Sequence, residues 1–312
     1  MQLVKKIDIH VHTSESAWFS RLPNERFATP SELIGMYDRL GIEKGVLLPS
    51  INIESDYQTS SNYENYLITQ QYPDRFYWFC NVDPRQGGNA DDTDYTPFLN
   101  DCKSHGAKGV GEICANLYFD DPMTMNLFRC CEACDMPVIF HIGNMGRDYG
   151  LVDEMGLPRL EKALAAFPKL KFLGHSQKFW AEIGGDLTAE ERCGYPTGKV
   201  VPGGRLIELF ETYPNLFGDL SAGSGYNAMA RDPDFGYAFM ERYQDRLFFG
   251  TDICSPKNLS DARVCLAAFL DDGVLSGRLS EEAYLKISRG NALKLLERQT
   301  ICVSDSEFSE RG

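Results

Sequence analysis

The segment IDIHVHT sets His10 and His12 two residues apart. In an extended strand, residues at that spacing project to one face, so the two imidazoles stand side by side and make half of a metal site. Such a pair also arises by chance or as hydrogen-bonded core histidines, and other residues must decide between these readings. The chain has only 5 histidines, and four of them, His10, His12, His141 and His175, fall at or near the ends of β-rich apolar runs. Asp252 closes a further run, FFGTD, where a carboxylate is costly without a cation or hydrogen-bond donors. His10, His12, His141 and Asp252 together offer three nitrogens and an oxygen. That set suits Zn2+, with Mn2+ as second candidate, and leaves positions open for water and substrate. A cation so held lowers the pKa of bound water and polarises a carbonyl or phosphoryl oxygen, which is the chemistry of hydrolysis at neutral pH. His105, in KSHGAK, belongs to a helix end and is set apart from this group.

These residues need elements to carry them. Eight apolar runs read as strands, at 3–11, 44–49, 75–82, 107–113, 137–142, 170–176, 215–221 and 246–252, with helical stretches between them. Strands alternating with helices make a parallel sheet, and eight of them is the count of an α/β (β/α)8 TIM barrel, whose chemistry sits at the C-terminal strand ends. The stretch PSELIGMYDRLG stops at Gly41, and LPRLEKALAAFP carries one apolar face, as barrel-covering helices require. Two insertions, 13–30 and 177–205, follow strands and form candidate walls of the site. Trp18 and Arg21 in the first, Trp180 in the second, and Arg147 and Tyr226 in the loops after strands 5 and 7 are candidate substrate contacts. Each also reads as an ordinary solvated loop residue. No linker divides the chain, which predicts one domain over 1–300 and a polar tail at 301–312.

Over 312 residues, 31 Lys and Arg stand against 45 Asp and Glu, a net charge of −14 that opposes nucleic-acid phosphates and anionic membranes. The expected partner is a small-molecule substrate, with homo-oligomer formation left open. The start MQLVKKIDIHVHT reads as a strand rather than a signal peptide, which implies a cytoplasmic protein. The 10 cysteines are scattered and read as reduced thiols. Cys131 and Cys134 have the spacing of half a zinc site, but no second pair follows, and MNLFRCCEACDMP reads as a helix.

The motifs IDIHVHT, FHIG, FLGHSQKFW and FFGTDICSP, in this order over residues 7 to about 296, resemble the amidohydrolase superfamily, in particular its amidohydrolase-2 branch. That branch holds metal-dependent hydrolases and non-oxidative decarboxylases of the aminocarboxymuconate-semialdehyde and γ-resorcylate types. The resemblance implies that His10, His12, His141 and Asp252 are ligands, and that His175 is an acid/base group beside the metal. Glu112, in KGVGEI, is similar to the G-E-I signature of TatD-related hydrolases. It either bridges a second ion, held with His141 and His175, or hydrogen-bonds a ligand histidine. The leading expectation is a hydrolase using a metal-activated water, with Asp252 moving protons. A decarboxylase of an aromatic or unsaturated carboxylic acid is the alternative.

Overall fold

A computed structural model describes residues 2–146 and 148–297. Arg147 and the tail expected at 301–312 lie outside the described residues. The strands are β1 (Lys6–Val11), β2 (Ile42–Leu47), β3 (Phe76–Trp78), β4 (Val110–Ile113), β5 (Val138–Gly143), β6 (Leu151–Val152), β7 (Phe172–His175), β8 (Leu216–Asp219) and β9 (Leu247–Phe248). Each of the eight predicted runs overlaps one of them, with β2 starting two residues earlier and β5 ending one residue later than expected. The addition is β6, a two-residue strand that pairs with the end of β5 at Ile142↔Leu151.

All pairings are parallel: β1 with β2, β2 with β3, then β4, β5, β7, β8 and β9 in that order. Backbone hydrogen bonds bring the two sheets together at both seams. Cys80 N donates to Gly109 O and Gly111 N to Cys80 O, so β3 leads into β4. Ile9 N donates to Phe249 O, Asp252 N to His10 O and His12 N to Ile253 O, so β9 returns to β1. This is the (β/α)8 ring, its two seams closed by these hydrogen bonds and by the single parallel bridges Cys80↔Val110 and Val11↔Ile253.

Outside the ring, the outward strand residues pack under the helices. The helix Pro30–Leu40 starts in a capping box between Thr29 and Glu32 and stops at Gly41 with φ 68°, as its sequence predicts. Inside, Ile7, Ile9, Val46, Leu48, Phe79, Ile139, Leu173 and Phe248 form a separate apolar cluster, met by Ala292 and Leu296 of the helix Asn291–Glu297. Two residues further along β5, β7 and β8, on the same face as Ile139, Leu173 and Phe217, stand His141, His175 and Asp219. The polar layer thus rests on an apolar floor.

Strand β1 cannot follow that rule by simple alternation, because Ile7 and Ile9 differ in parity from His10 and His12. A β-bulge resolves the conflict: from Asp8↔Gly45 to Val11↔Leu47, β1 advances three residues while β2 advances two. Ile7 and Ile9 therefore face the interior, the two histidines do so above the bulge, and Val11 joins the outer core. Strand β4 shows the same shift between Val110↔Val138 and Ile113↔Phe140, and there Glu112 turns inward. Gly111 makes this course of the chain possible. Its φ is +138°, and a Cβ there would lie 2.5 Å from Ile139 O.

The cysteines among the described residues are free; Cys130, Cys131 and Cys134 are buried, and no candidate metal cluster among the described residues includes a cysteine. No described helix is long and apolar enough to cross a membrane.

Candidate metal centre

The ring brings His10, His12, Glu112, His141, His175 and Asp252 to one place, at the bottom of a cavity of about 210 Å³. Two of the histidines are aligned by the sheet itself, since His141 and His175 are register partners on β5 and β7. His105 stays outside. It caps the helix Thr96–Ser104, exposed, with Nδ1 2.9 Å from Asp101 O.

The hydrogen bonds fix which nitrogens are available. His10 Nδ1 is 2.6 Å from Asp219 Oδ2, and a buried carboxylate demands a donor, so this nitrogen carries the proton. His12 Nδ1 is 2.9 Å from the carbonyl oxygen of Leu48, which can only accept. Nε2 is therefore the nitrogen that each imidazole has left to offer, and these two atoms lie 3.1 Å apart. Two such nitrogens this close need a proton or a cation between them. Two nitrogens on one tetrahedral Zn2+ stand roughly 3.3 Å apart, from bonds of about 2.0–2.1 Å. The donor set fits a metal ion, and carboxylate–histidine and carbonyl–histidine pairs of this sort are the usual support for such ligands.

Glu112 divides its carboxylate between two groups. Its Oε2 lies 3.5 Å from Nε2 of His10 and 3.5 Å from Nε2 of His12. Its Oε1 lies 2.9 Å from His141 Nδ1 and 3.8 Å from His175 Nε2. Asp252 joins the first group, with Oδ1 3.7 Å from both Nε2 atoms. Two candidate ligand clusters follow, His10–His12–Glu112 and Glu112–His141–His175, sharing the glutamate. The expected set of His10, His12, His141 and Asp252 gathers at this same place, with Glu112 set among them, Oε1 toward His141 and Oε2 toward the strand β1 histidines.

The electrostatics agree with a site built for positive charge. Burial disfavours the charged form of His10, but Asp219 and Glu112 outweigh it and hold its pKa well above the ordinary histidine value. Burial pushes the Glu112 carboxyl up, and the neighbouring His10 and the hydrogen bonds from the histidines bring it well below the usual range. Asp252, likewise raised by burial, is brought down chiefly by Arg263. Arg263 Nη1 donates to the Asp252 carbonyl at 2.8 Å and approaches Oδ2 at 3.5 Å. It steadies a residue whose φ of 55° is unusual for an aspartate.

Around the centre the wall is mainly polar, with Arg21, Ser50, Asn52, Tyr149, Gln177 and Tyr195 among its members. Arg21 lines the cavity as expected, but ion pairs to Glu25 (2.7 Å) and Asp56 (2.8 Å) hold its guanidinium. The other expected contacts among the described residues lie elsewhere. Trp180 is 1% exposed and packed in the core, its Nε1 donating to Asp219 O at 2.9 Å; the short helix Gln177–Ala181 turns it inward, which corrects its expected place on the wall. Trp18 is 91% exposed, beside a separate surface hollow shared with Phe19. Tyr226 lines an adjoining pocket that shares Tyr195 and Arg263 with the cavity. Asp219, Ser221, Tyr149 and Arg263 escaped the sequence reading. For Asp219 a signal existed: like Asp252, it is a carboxylate ending an apolar strand.

Residues 7–298 match the model of a family described as amidohydrolase. No curated protein matches the chain. Among solved structures, an uncharacterised TIM-barrel protein from Bordetella bronchiseptica is 17% identical over 95% of this chain and 99% of that one, with a TM-score of 0.65. A structure described as amidohydrolase II is 15% identical over 94% of this chain and 100% of that one, with a TM-score of 0.60. A 5-carboxyvanillate decarboxylase from Sphingomonas paucimobilis is 13% identical over 95% and 99%, with a TM-score of 0.56. Identities this low carry the fold alone.

Proposed function

The chain belongs to the amidohydrolase family, whose members are metal-dependent hydrolases or decarboxylases, and from that premise we propose that it is a hydrolase of small molecules with a two-ion centre. The observation that carries this reading is the orientation of Glu112, one carboxylate oxygen toward His10 and His12 and the other toward His141 and His175. On it, His10, His12, Glu112 and Asp252 would hold one ion, and Glu112, His141 and His175 the other. The donors are imidazole and carboxylate, which suit Zn2+ first and Mn2+ second.

When bound, such ions polarise a substrate oxygen and lower the pKa of water toward neutrality. The chain supplies the rest. Asp252 keeps its carboxylate ionised at the cavity floor, and this group takes the proton of the attacking water and returns it to the leaving group. Arg263 holds Oδ2 during both transfers. Tyr149, its ring 4.5 Å from that of His141, covers one side of the centre and limits access of bulk water. The cavity volume and polar wall suit a compact polar substrate with a cleavable amide, lactone or ester bond. In this reading His175 is a ligand rather than a free acid/base group.

The test is a substrate screen read by product mass in 18O-labelled water, run beside metal analysis of the purified protein. Two ions per chain and one labelled oxygen in the product across the cleaved bond are expected. Release of CO2 with no solvent oxygen incorporated would overturn the hydrolase reading in favour of decarboxylation.

A further inference from the structure

Asp219 is fully buried at the end of β8, and its carboxylate touches both halves of the centre. Oδ2 receives His10 Nδ1 at 2.6 Å and the Ser221 hydroxyl at 2.9 Å, and Oδ1 receives the Ser221 backbone N–H at 2.9 Å. The Ser221 oxygen lies in turn 2.9 Å from His175 Nδ1, which is itself 3.3 Å from Asp219 Oδ2. Ser221 flanks the helix Ala222–Ala230 but makes no side-chain cap there, so its hydroxyl is committed to this chain of contacts.

Counting protons orders the chain. A hydroxyl has one proton, and a carboxylate has none to give. If Ser221 donates to Asp219, its oxygen must accept from His175 Nδ1–H. The reverse arrangement would leave Asp219 short of a donor in a buried place. The consistent sequence runs from His175 Nδ1–H to Ser221, from Ser221 O–H to Asp219, and from His10 Nδ1–H to the same carboxylate. Both histidines then turn a lone pair at Nε2 toward Glu112. The 2.6 Å contact of His10 with Asp219 is a hydrogen bond and too short for an ion between them, so His10, His175 and Asp219 are not a third ion site.

We propose that Asp219 is a shared positioning residue, which sets the tautomer and orientation of one ligand histidine in each half, His10 directly and His175 through Ser221. The inference rests on the two-ion reading. It divides the work between the two residues: Ser221 serves one half only, Asp219 both. Gly250 belongs to the same device, since a Cβ there would stand 2.7 Å from Ser221 Cβ and 2.9 Å from Asp219 Oδ1.

Metal-stripped wild type, Ser221→Ala and Asp219→Asn are titrated calorimetrically with Zn2+ at one pH against a competing chelator. The wild type should show two binding steps. Ser221→Ala should weaken one step by roughly 10- to 100-fold and leave the other unchanged; Asp219→Asn should weaken both by that range, the usual cost of losing an outer partner of a ligand. A merely structural role would lower the melting temperature of the apo protein without this selectivity. If Asp219→Asn fails to fold, Ser221→Ala alone decides, and equal weakening of both steps, or of neither, overturns the proposal. Two wild-type steps with an unchanged Asp219→Asn overturn it and leave the two-ion reading intact. A wild type with one step or none refutes the two-ion reading, and the sharing falls with it.

Discussion

Replacing Glu112 by glutamine removes a unit of charge and one of two oxygens while keeping the volume. In the native site, Oε2 is 3.5 Å from both strand β1 histidines and Oε1 is 2.9 Å from His141. An amide can turn its oxygen to one cluster only and must turn its NH2, a donor without lone pairs to offer, to the other. Opposite unit charges at 4 Å attract by about 4 kcal/mol at an effective dielectric constant near 20. A divalent partner doubles that figure, so 4 kcal/mol is a floor for the ion that faces the amide nitrogen. At 1.4 kcal/mol per factor of ten, Glu112→Gln should weaken that ion by about 10³-fold or more. The occupancy of the purified protein then falls from two ions to one or none. Elemental analysis after dialysis gives the count, and Zn2+ titration of the metal-stripped protein gives the affinities. A Glu112→Gln variant that still takes up two ions at wild-type affinity would refute the shared-carboxylate argument. So would a wild type that never exceeds one ion per chain under saturating metal, which would make Glu112 a hydrogen-bond partner of His141 alone.

The same geometry leads to further outcomes. His175→Asn should lose one ion and keep the other, as measured by metal analysis; a variant that keeps full occupancy but loses turnover returns His175 to the free acid/base role. Asp252→Asn should retain the fold by circular dichroism and lose roughly 10² to 10⁴ in turnover, the range of a general acid/base group, and retained turnover would exclude it as the proton carrier. Asp153 is buried, and burial raises its pKa to about 6 despite hydrogen bonds from Leu160 N and Arg159 N. A raised carboxylate pKa means the folded state binds the extra proton, so this group's contribution to stability is greatest below pH 4 and declines as pH rises to about 6. The rise corresponds to about 3 kcal/mol at most. Asp153→Asn should therefore gain stability relative to wild type between pH 4 and pH 6 in urea titrations of chelator-treated protein, and a relative loss over that interval would contradict the assignment. Trp180→Phe removes the donor to Asp219 O and should cost about 0.5–1.5 kcal/mol in the same measurement; no loss would mean the bond is not formed in solution.

The sequence by itself determined the eight strands, the helices that cover them and the residue types at the mouth of the ring. These are local signals: apolar runs with period 2 or 3.6, helix stops such as Gly41, and polar residues at strand ends where burial makes them costly. It also separated His105 from the other four histidines, because a residue at a helix end needs no partner from a distant strand. The way the candidate ligands group was not legible. Pairwise spacing placed His10 beside His12, yet whether they face the ring interior depended on a bulge that flips the parity of β1 between Ile9 and His10, and a bulge is set by the register against β2. Glu112 likewise reads in the sequence as bridging or as a hydrogen-bond partner, and the direction of its two oxygens, one toward each pair of histidines, depends on the shift in β4. Asp219 had a strand-end position like that of Asp252, but its value lies in two contacts, to His10 and Ser221, that are 209 and 2 residues away in the chain. Trp180 in a long insertion reads as a candidate substrate contact, and only the packing of its helix against the core gives its ring and its N–H a buried place. Strand alternation is a property of neighbouring residues; which side chains meet at the mouth of the ring is decided by register between strands far apart in sequence, which the burial of one strand face and the connections between strands set together.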